Sequence, residues 1–112
     1  MAKVQFDVLR TIDAASLTGA YQNFGAPLTQ NWRAFKCTNN TDGDILLSLN
    51  GTDDNMFVPQ YSFTLYDLAT NAPNVQNSDG FVFASGTQFE IKTDTAATTG
   101  DVWLEGIYAT GV

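Results

Sequence analysis

The sequence predicts an all-β chain: a single antiparallel β-sandwich, jelly-roll-like, with about eight or nine short strands over residues 1–112. Three observations carry this expectation. Apolar residues recur in period two over short runs, as in Ile45-Leu46-Leu47-Ser48-Leu49 and Ser62-Phe63-Thr64-Leu65-Tyr66, which is the repeat of a half-buried strand. The runs are cut by dense turn signals, Asn39-Asn40-Thr41-Asp42-Gly43 and Asn50-Gly51-Thr52-Asp53-Asp54-Asn55, whose residues tolerate positive φ or bond their own backbone. No segment sustains a helical period long enough to stand as a helix.

Taken in order, Val4-Gln5-Phe6-Asp7-Val8-Leu9 alternates and reads as the first strand. Residues 10–17 form an irregular connection, with Asp13 placed to cap a short helical turn at Ala14-Ala15. Residues 20–24 make a second strand, closed by Gly25 and Pro27, because proline donates no ladder bond. In Trp32-Arg33-Ala34-Phe35-Lys36-Cys37 the inward face carries Phe35 and Cys37, leaving Trp32 partly exposed or covered by a neighbour. Ile45, Leu47 and Leu49 share one face of the next strand. Asn50-Gly51 then signals either a tight hairpin or a wider loop. Met56-Phe57-Val58 stops at Pro59, and residues 62–67 follow with Phe63 and Leu65 inward. Residues 69–80 form a polar loop, residues 81–83 and 88–92 two strands about Ser85-Gly86, and residues 93–101 a second polar loop. The last strand spans residues 102–109, with Gly106 on the Leu104 face, where a missing side chain admits a bulky neighbour or marks a bulge. The core expected from this pattern is Ile45, Leu47, Leu49, Phe63 and Leu65. Which strand neighbours which is not legible in a single sequence.

Composition excludes several functions. Five basic residues face twelve acidic ones, for a net charge of −7. That is too little positive charge for phosphate-backbone binding, and the wrong sign for anionic membranes. With no histidine and one cysteine, a Cys–His zinc site and a histidine-assisted nucleophile are both ruled out. Cys37 reads as a small buried hydrophobe. Residues 1–11 lack the apolar stretch of a secretory signal, and no run approaches the ~20 apolar residues of a membrane span. Hydrophobic residues make up 44% of the chain, enough for one core. A domain of this size buries only about two-thirds of its unfolded surface, so association with copies or neighbours suits it.

The remaining candidate sites reduce to structure. Asp42 and Asp44 flank Gly43, while Asp53 and Asp54 lie one strand later, so the two acidic loops fall at opposite ends of that strand; the spacing also lacks the calcium-loop pattern. Glu90 and Glu105, the only glutamates, read as solvated strand positions rather than a glycosidase pair. The sequons at Asn39 and Asn50 read as turn residues. No catalytic residue, metal or cofactor is expected. The exposed aromatics leave three readings open, namely glycan stacking, subunit contact and ordinary packing. The contact candidates are Trp32, Met56, Phe57, Tyr61 and Trp103, followed by the two polar loops.

The segment TNNTDGDILLSLNGTDDNMFVPQYSFTLYDLATN resembles small β-sandwich structural proteins of tailed bacteriophage particles. The shared pattern is a strand ending in Asn-Asn, a Ser-Leu-Asn-Gly-Thr run, Phe-Val-Pro, and Tyr-Asp-Leu leading to an Asn-rich loop. Leu17-Thr18-Gly19-Ala20-Tyr21-Gln22, Gly25-Ala26-Pro27-Leu28, Phe83-Ala84-Ser85-Gly86-Thr87-Gln88-Phe89 and the closing strand fit the same pattern. The resemblance implies a non-enzymatic virion subunit, made in the host cytoplasm, whose partners are other virion proteins and copies of itself. Capsid decoration, neck or head–tail connector, and tail are all open as its place. The alternative is a carbohydrate-binding module of a host-adhesion device.

Overall fold

The computed structural model describes residues 3–68 and 82–110. The strands are β1 (Lys3–Phe6), β2 (Arg10–Asp13), β3 (Gln22–Asn23), β4 (Trp32–Thr41), β5 (Ile45–Ser48), β6 (Met56–Val58), β7 (Ser62–Asp67), β8 (Glu90–Thr93) and β9 (Gly100–Thr110). They form two antiparallel sheets. One runs β1-β9-β4-β7, with β2 following β1 along the same edge of β9; the other runs β3-β8-β5-β6. Strands pair as a nested set, β5 with β6, β4 with β7, β3 with β8 and β2 with β9. This is the strand order of a jelly roll. The expected fold class is therefore the observed one.

Local departures from expectation have identifiable causes. Residues 10–13 are a strand rather than an irregular connection, because the long β9 offers one edge to β1 over its second half and to β2 over its first. Asp13 does cap the short 3-10 turn Ala14–Ser16, its Oδ1 accepting the Ser16 N–H at 2.9 Å. β4 continues through Asn39 and Thr41, which the sequence places in a turn. Both are buried, and their polar groups are satisfied within the fold. Asn39 Nδ2 donates to the carbonyls of Gly43 (2.8 Å), Val58 (3.0 Å) and Pro59 (3.1 Å), while its Oδ1 accepts from the Thr41 hydroxyl at 2.6 Å. One buried amide thus ties the β4–β5 turn to the β6–β7 turn. Phe83 makes a single bridge to Trp32; Phe81 and the polar loop at 69–80 lie outside the described residues.

The core centres on Trp32, which is 0% exposed. A Cβ on Gly106 would lie only 2.1–2.3 Å from the indole carbons, so the glycine is what lets β4 and β9 pair with the ring between the sheets. The Trp32 Nε1–H donates to Asp7 Oδ2 at 2.9 Å, and the Arg10 guanidinium lies 5.0 Å from the ring centroid. Phe89 packs against the ring at 5.5 Å, and Phe35 and Phe83 extend the aromatic cluster. The sequence-based reading of Trp32 as a partly exposed contact residue is thereby corrected. Its indole has a complete set of partners inside the fold.

Ile45 and Leu47 are buried as expected, and Leu49 packs partly buried against them. Phe63 and Leu65, expected inward, are 58% and 61% exposed. The pairing of β7 with β4 sets this orientation. Thr64 lies opposite Cys37 and Tyr66 opposite Phe35, so Ser62, Thr64 and Tyr66 share the inward face, whereas Phe63 and Leu65 lie opposite Thr38 and Lys36 on the outside. Tyr66 stacks on Phe35 at 5.2 Å, and Asn39 holds the preceding turn at Val58 and Pro59. A slip of one residue would reverse every side chain of β7, and these two anchors forbid it.

Replacing Gly106 by Ala forces a methyl against the Trp32 ring. The expected loss is about 3 kcal/mol, the upper range for overpacking, or on the order of 10–20 °C in Tm for a chain of this size. Thermal unfolding followed by circular dichroism measures it; an unchanged Tm would contradict the packing described.

Candidate protein-contact face

Registers place the outward side chains of the five-stranded sheet in rows. Phe6 lies opposite Ile107, which lies opposite Ala34. Glu105 lies opposite Lys36, and Lys36 opposite Leu65; Trp103 lies opposite Thr38, and Thr38 opposite Phe63. The β1–β2 link adds Leu9. Phe6 is 72% and Leu9 54% exposed. With Phe63 and Leu65 they leave on the order of 500 Å² of apolar area open to water, near the upper limit for the largest patch of an ordinary monomer.

Both edges of this sheet are inside-out. On the β7 side the apolar pair faces solvent, as seen above. On the β1 side Val4, Phe6 and Val8 all point out, at 71–79% exposure. The alternate Gln5 and Asp7 meet protein instead, Gln5 Oε1 accepting from the Tyr108 hydroxyl and Asp7 from Trp32. Two grooves run between these edges. One of about 350 Å³ is lined by Phe6, Leu9, Trp103 and Glu105, and one of about 160 Å³ by Phe6, Lys36, Leu65 and Ile107. At the centre, Lys36 Nζ sits 4.7 Å from the Phe63 ring centroid. Among the described residues the close ion pairs are Asp7–Arg10 and Asp54–Lys92, and Lys36 and Glu105, though directly opposite, are not within 4 Å of one another.

The outer surface of the four-stranded sheet is different. Tyr21 OH donates to Asp54 Oδ1 at 2.6 Å, and Lys92 Nζ lies 3.3 Å from the same carboxylate and 4.6 Å from the Tyr21 ring centroid. Partial burial, then the bond to Asp54, pushes the Tyr21 phenol above its ordinary range, while the same bond lowers the Asp54 carboxyl. The proton therefore stays on the tyrosine, and this surface is fastened by polar contacts.

The five expected contact residues do not form one surface. Trp32 is in the core, and Phe57 lies on the four-stranded sheet opposite Leu46, 51% exposed. Tyr61 occupies the β6–β7 turn at a φ of 52°, and Met56 lines a groove of about 210 Å³ with Leu49, Tyr66 and Phe83. Trp103 alone belongs to the apolar face. The residues that build the face with it, Phe6, Leu9, Phe63, Leu65 and Ile107, were legible as apolar alternation, but alternation does not say which side is inward.

The polar groups singled out from the sequence hold loops together. Asp42 accepts from the Thr98 hydroxyl and from the N–H groups of Thr98 (2.7 Å) and Thr99 (3.2 Å), which draws its carboxyl down to about 2. Asp44 Oδ1 accepts the Gln60 N–H at 2.9 Å. Asn50 Oδ1 accepts from the backbone of Thr52 and Asp53. The second polar loop, expected as a contact element, is thus bound to the β4–β5 turn. Cys37 is buried, which pushes its thiol up to about 12. Glu90 and Glu105 fall on different sheets. Among the described residues no group of three or more carboxylates or thiols is placed to hold a metal ion, and no helix is long and apolar enough to cross a membrane.

No family model matches the chain, and neither the curated proteins nor the solved structures contain a significant match to it.

Because hydrogen bonds hold Asp42 ionised, its tie to the second polar loop is complete above the ordinary carboxyl range and is lost as pH falls through about 2. A carbon-detected NMR titration of the Asp42 carboxyl should give that midpoint, and Thr98→Ala should raise it towards the ordinary value. An ordinary midpoint in the unaltered chain contradicts the arrangement.

Proposed function

We propose that the chain is a non-enzymatic structural subunit of a tailed-bacteriophage particle, acting through protein–protein contacts as a neck or connector, tail or capsid-decoration component. The observation that carries this reading is the apolar outer face of the five-stranded sheet, with both edges turned inside-out. Residues that break the amphipathic rule without any gain to the core mark function more often than folding. Large apolar areas rimmed by polar groups mark sites of association.

Two further points support the reading. Jelly rolls recur among viral capsid domains, although a fold alone does not fix a function. The charge of −7 disfavours polyanionic partners and leaves proteins and carbohydrates. Between those two, the face favours protein. Glycans need polar groups placed beside an aromatic platform to bond their hydroxyls. Trp103 lies in a groove with Phe6, Leu9, Asp7 and Glu105, but Asp7 is engaged by the Trp32 indole. The face continues as the apolar side chains Leu65, Ile107 and Phe63, which offer no group to bond a sugar hydroxyl.

In particles of the phage that encodes it, the chain should be present by mass spectrometry, and Leu65→Asp should remove it from purified particles while its circular dichroism stays unchanged. Absence from particles, or full incorporation of the variant, contradicts the reading. Retention of the monomer on a glycan array would favour the carbohydrate-binding module instead.

A further inference from the structure

We propose that the apolar face takes a second copy of the same chain, in a two-fold face-to-face dimer. The inference rests on reading this face as a protein-contact surface, and it names the occupant. Its basis is the charge pattern at the centre. Lys36 and Glu105 stand side by side on β4 and β9, the two middle strands, about 4.8 Å apart across the sheet. A two-fold axis lying along the strands, midway over this pair, puts Lys36 of each copy on Glu105 of the other. An axis across the strands would instead put Lys36 on Lys36. The face is therefore self-complementary in one arrangement and self-repelling in the alternative, as an isologous contact requires.

Each row reverses under the same operation, which sets Phe63 over Thr11 and Phe6 against Asp67 and brings one flanking apolar pair together. Leu65 lies at one edge of the Lys36–Glu105 row, and Leu9 stands in the link at the opposite edge, so the axis places Leu65 of each copy over Leu9 of the other. Face-to-face sheets pack with their strands roughly 30° apart, which the twist of each sheet supplies. The apolar area alone, on the order of 500 Å², is more than half of the ~800 Å² per partner of a standard interface. The loop carboxylates of Asp42 and Asp44, at the end of the sandwich, and the Tyr21–Asp54–Lys92 surface stay outside the contact. Asp67, outward on β7 beside Leu65, and Asp101, outward on β9 beyond Trp103, are the further carboxylates that this face carries, at its rim.

Sedimentation equilibrium of the full chain tests the arrangement. The wild type should sediment at about twice its 12.2 kDa. Lys36→Glu and Glu105→Lys should each weaken the dimer at least about tenfold, since like charges then meet twice. An equimolar mixture of the two variants should dimerise again, because every contact in the mixed pair is of opposite sign; this restoration also shows that both variants are folded. A wild type that stays monomeric at tens of micromolar overturns the inference. If Leu65→Asp nevertheless fails to enter particles, the face serves another virion protein and the function reading stands. A dimer indifferent to both reversals, or a larger ring, also overturns the proposal, because an isologous contact closes at two copies.

Discussion

Trp32 seated on Gly106 is the contact from which the rest of the structure is set. The indole fills the space that the glycine leaves, and its ring nitrogen is satisfied by Asp7. On β9 this turns Gly106 inward, and on β4 a register shift between Trp32 and Ala34 lets Trp32 and Phe35 both face the core. Phe35, Cys37, Val102 and Leu104 then follow into the core, and their neighbours Lys36, Thr38, Trp103 and Glu105 follow onto the outside. Because β4 and β9 are the two central strands of the larger sheet, their orientation passes by register to β1, β2 and β7. The buried Asn39 amide makes the setting unique at the far end, where it gathers three carbonyls from two turns.

A consequence is the placing of apolar residues where hydrophobic burial alone would not put them. Fully burying a Phe or Leu side chain contributes about 2–3 kcal/mol, so leaving Phe6, Phe63 and Leu65 outside forgoes a sum comparable with the net stability of a small domain. Inverting β7 would recover part of it, but Tyr66 would lose its stack on Phe35 and the β6–β7 turn its hold on Asn39. The fold keeps its core and leaves the apolar face open. In the proposed assembly, association would cover that face, and the hydrophobic gain would be realised between chains instead of within one.

Much of the architecture was legible in the sequence. Period-two runs located most strands, Gly106 pointed to a bulky neighbour, and Ile45, Leu47 and Cys37 were placed correctly inward. Three things were not legible, each for a physical reason. Asn39 and Thr41 look like turn formers because their side chains bond local backbone, yet the same capacity lets them stay buried inside a strand. Arg10–Asp13 carries little strand signal of its own and is a strand because β9 leaves an edge for it. The orientation of β7 depends on register with β4, and alternation is symmetric between the two faces, so Phe63 and Leu65 read as core. Four of the five expected contact residues accordingly fell elsewhere. They were chosen by residue type, whereas the face is assembled by register.

The central claim is that β7 presents Leu65 outward, on a face that association covers. Paramagnetic relaxation of leucine methyl resonances by a soluble nitroxide measures both parts at once. At high dilution the Leu65 methyls should relax strongly while those of Leu47 and Leu104 remain protected, and raising the protein concentration should protect Leu65 as well. Leu65 methyls as protected as those of Leu47 at every dilution would contradict the account of β7. Leu65 methyls exposed at every concentration would contradict self-association through this face.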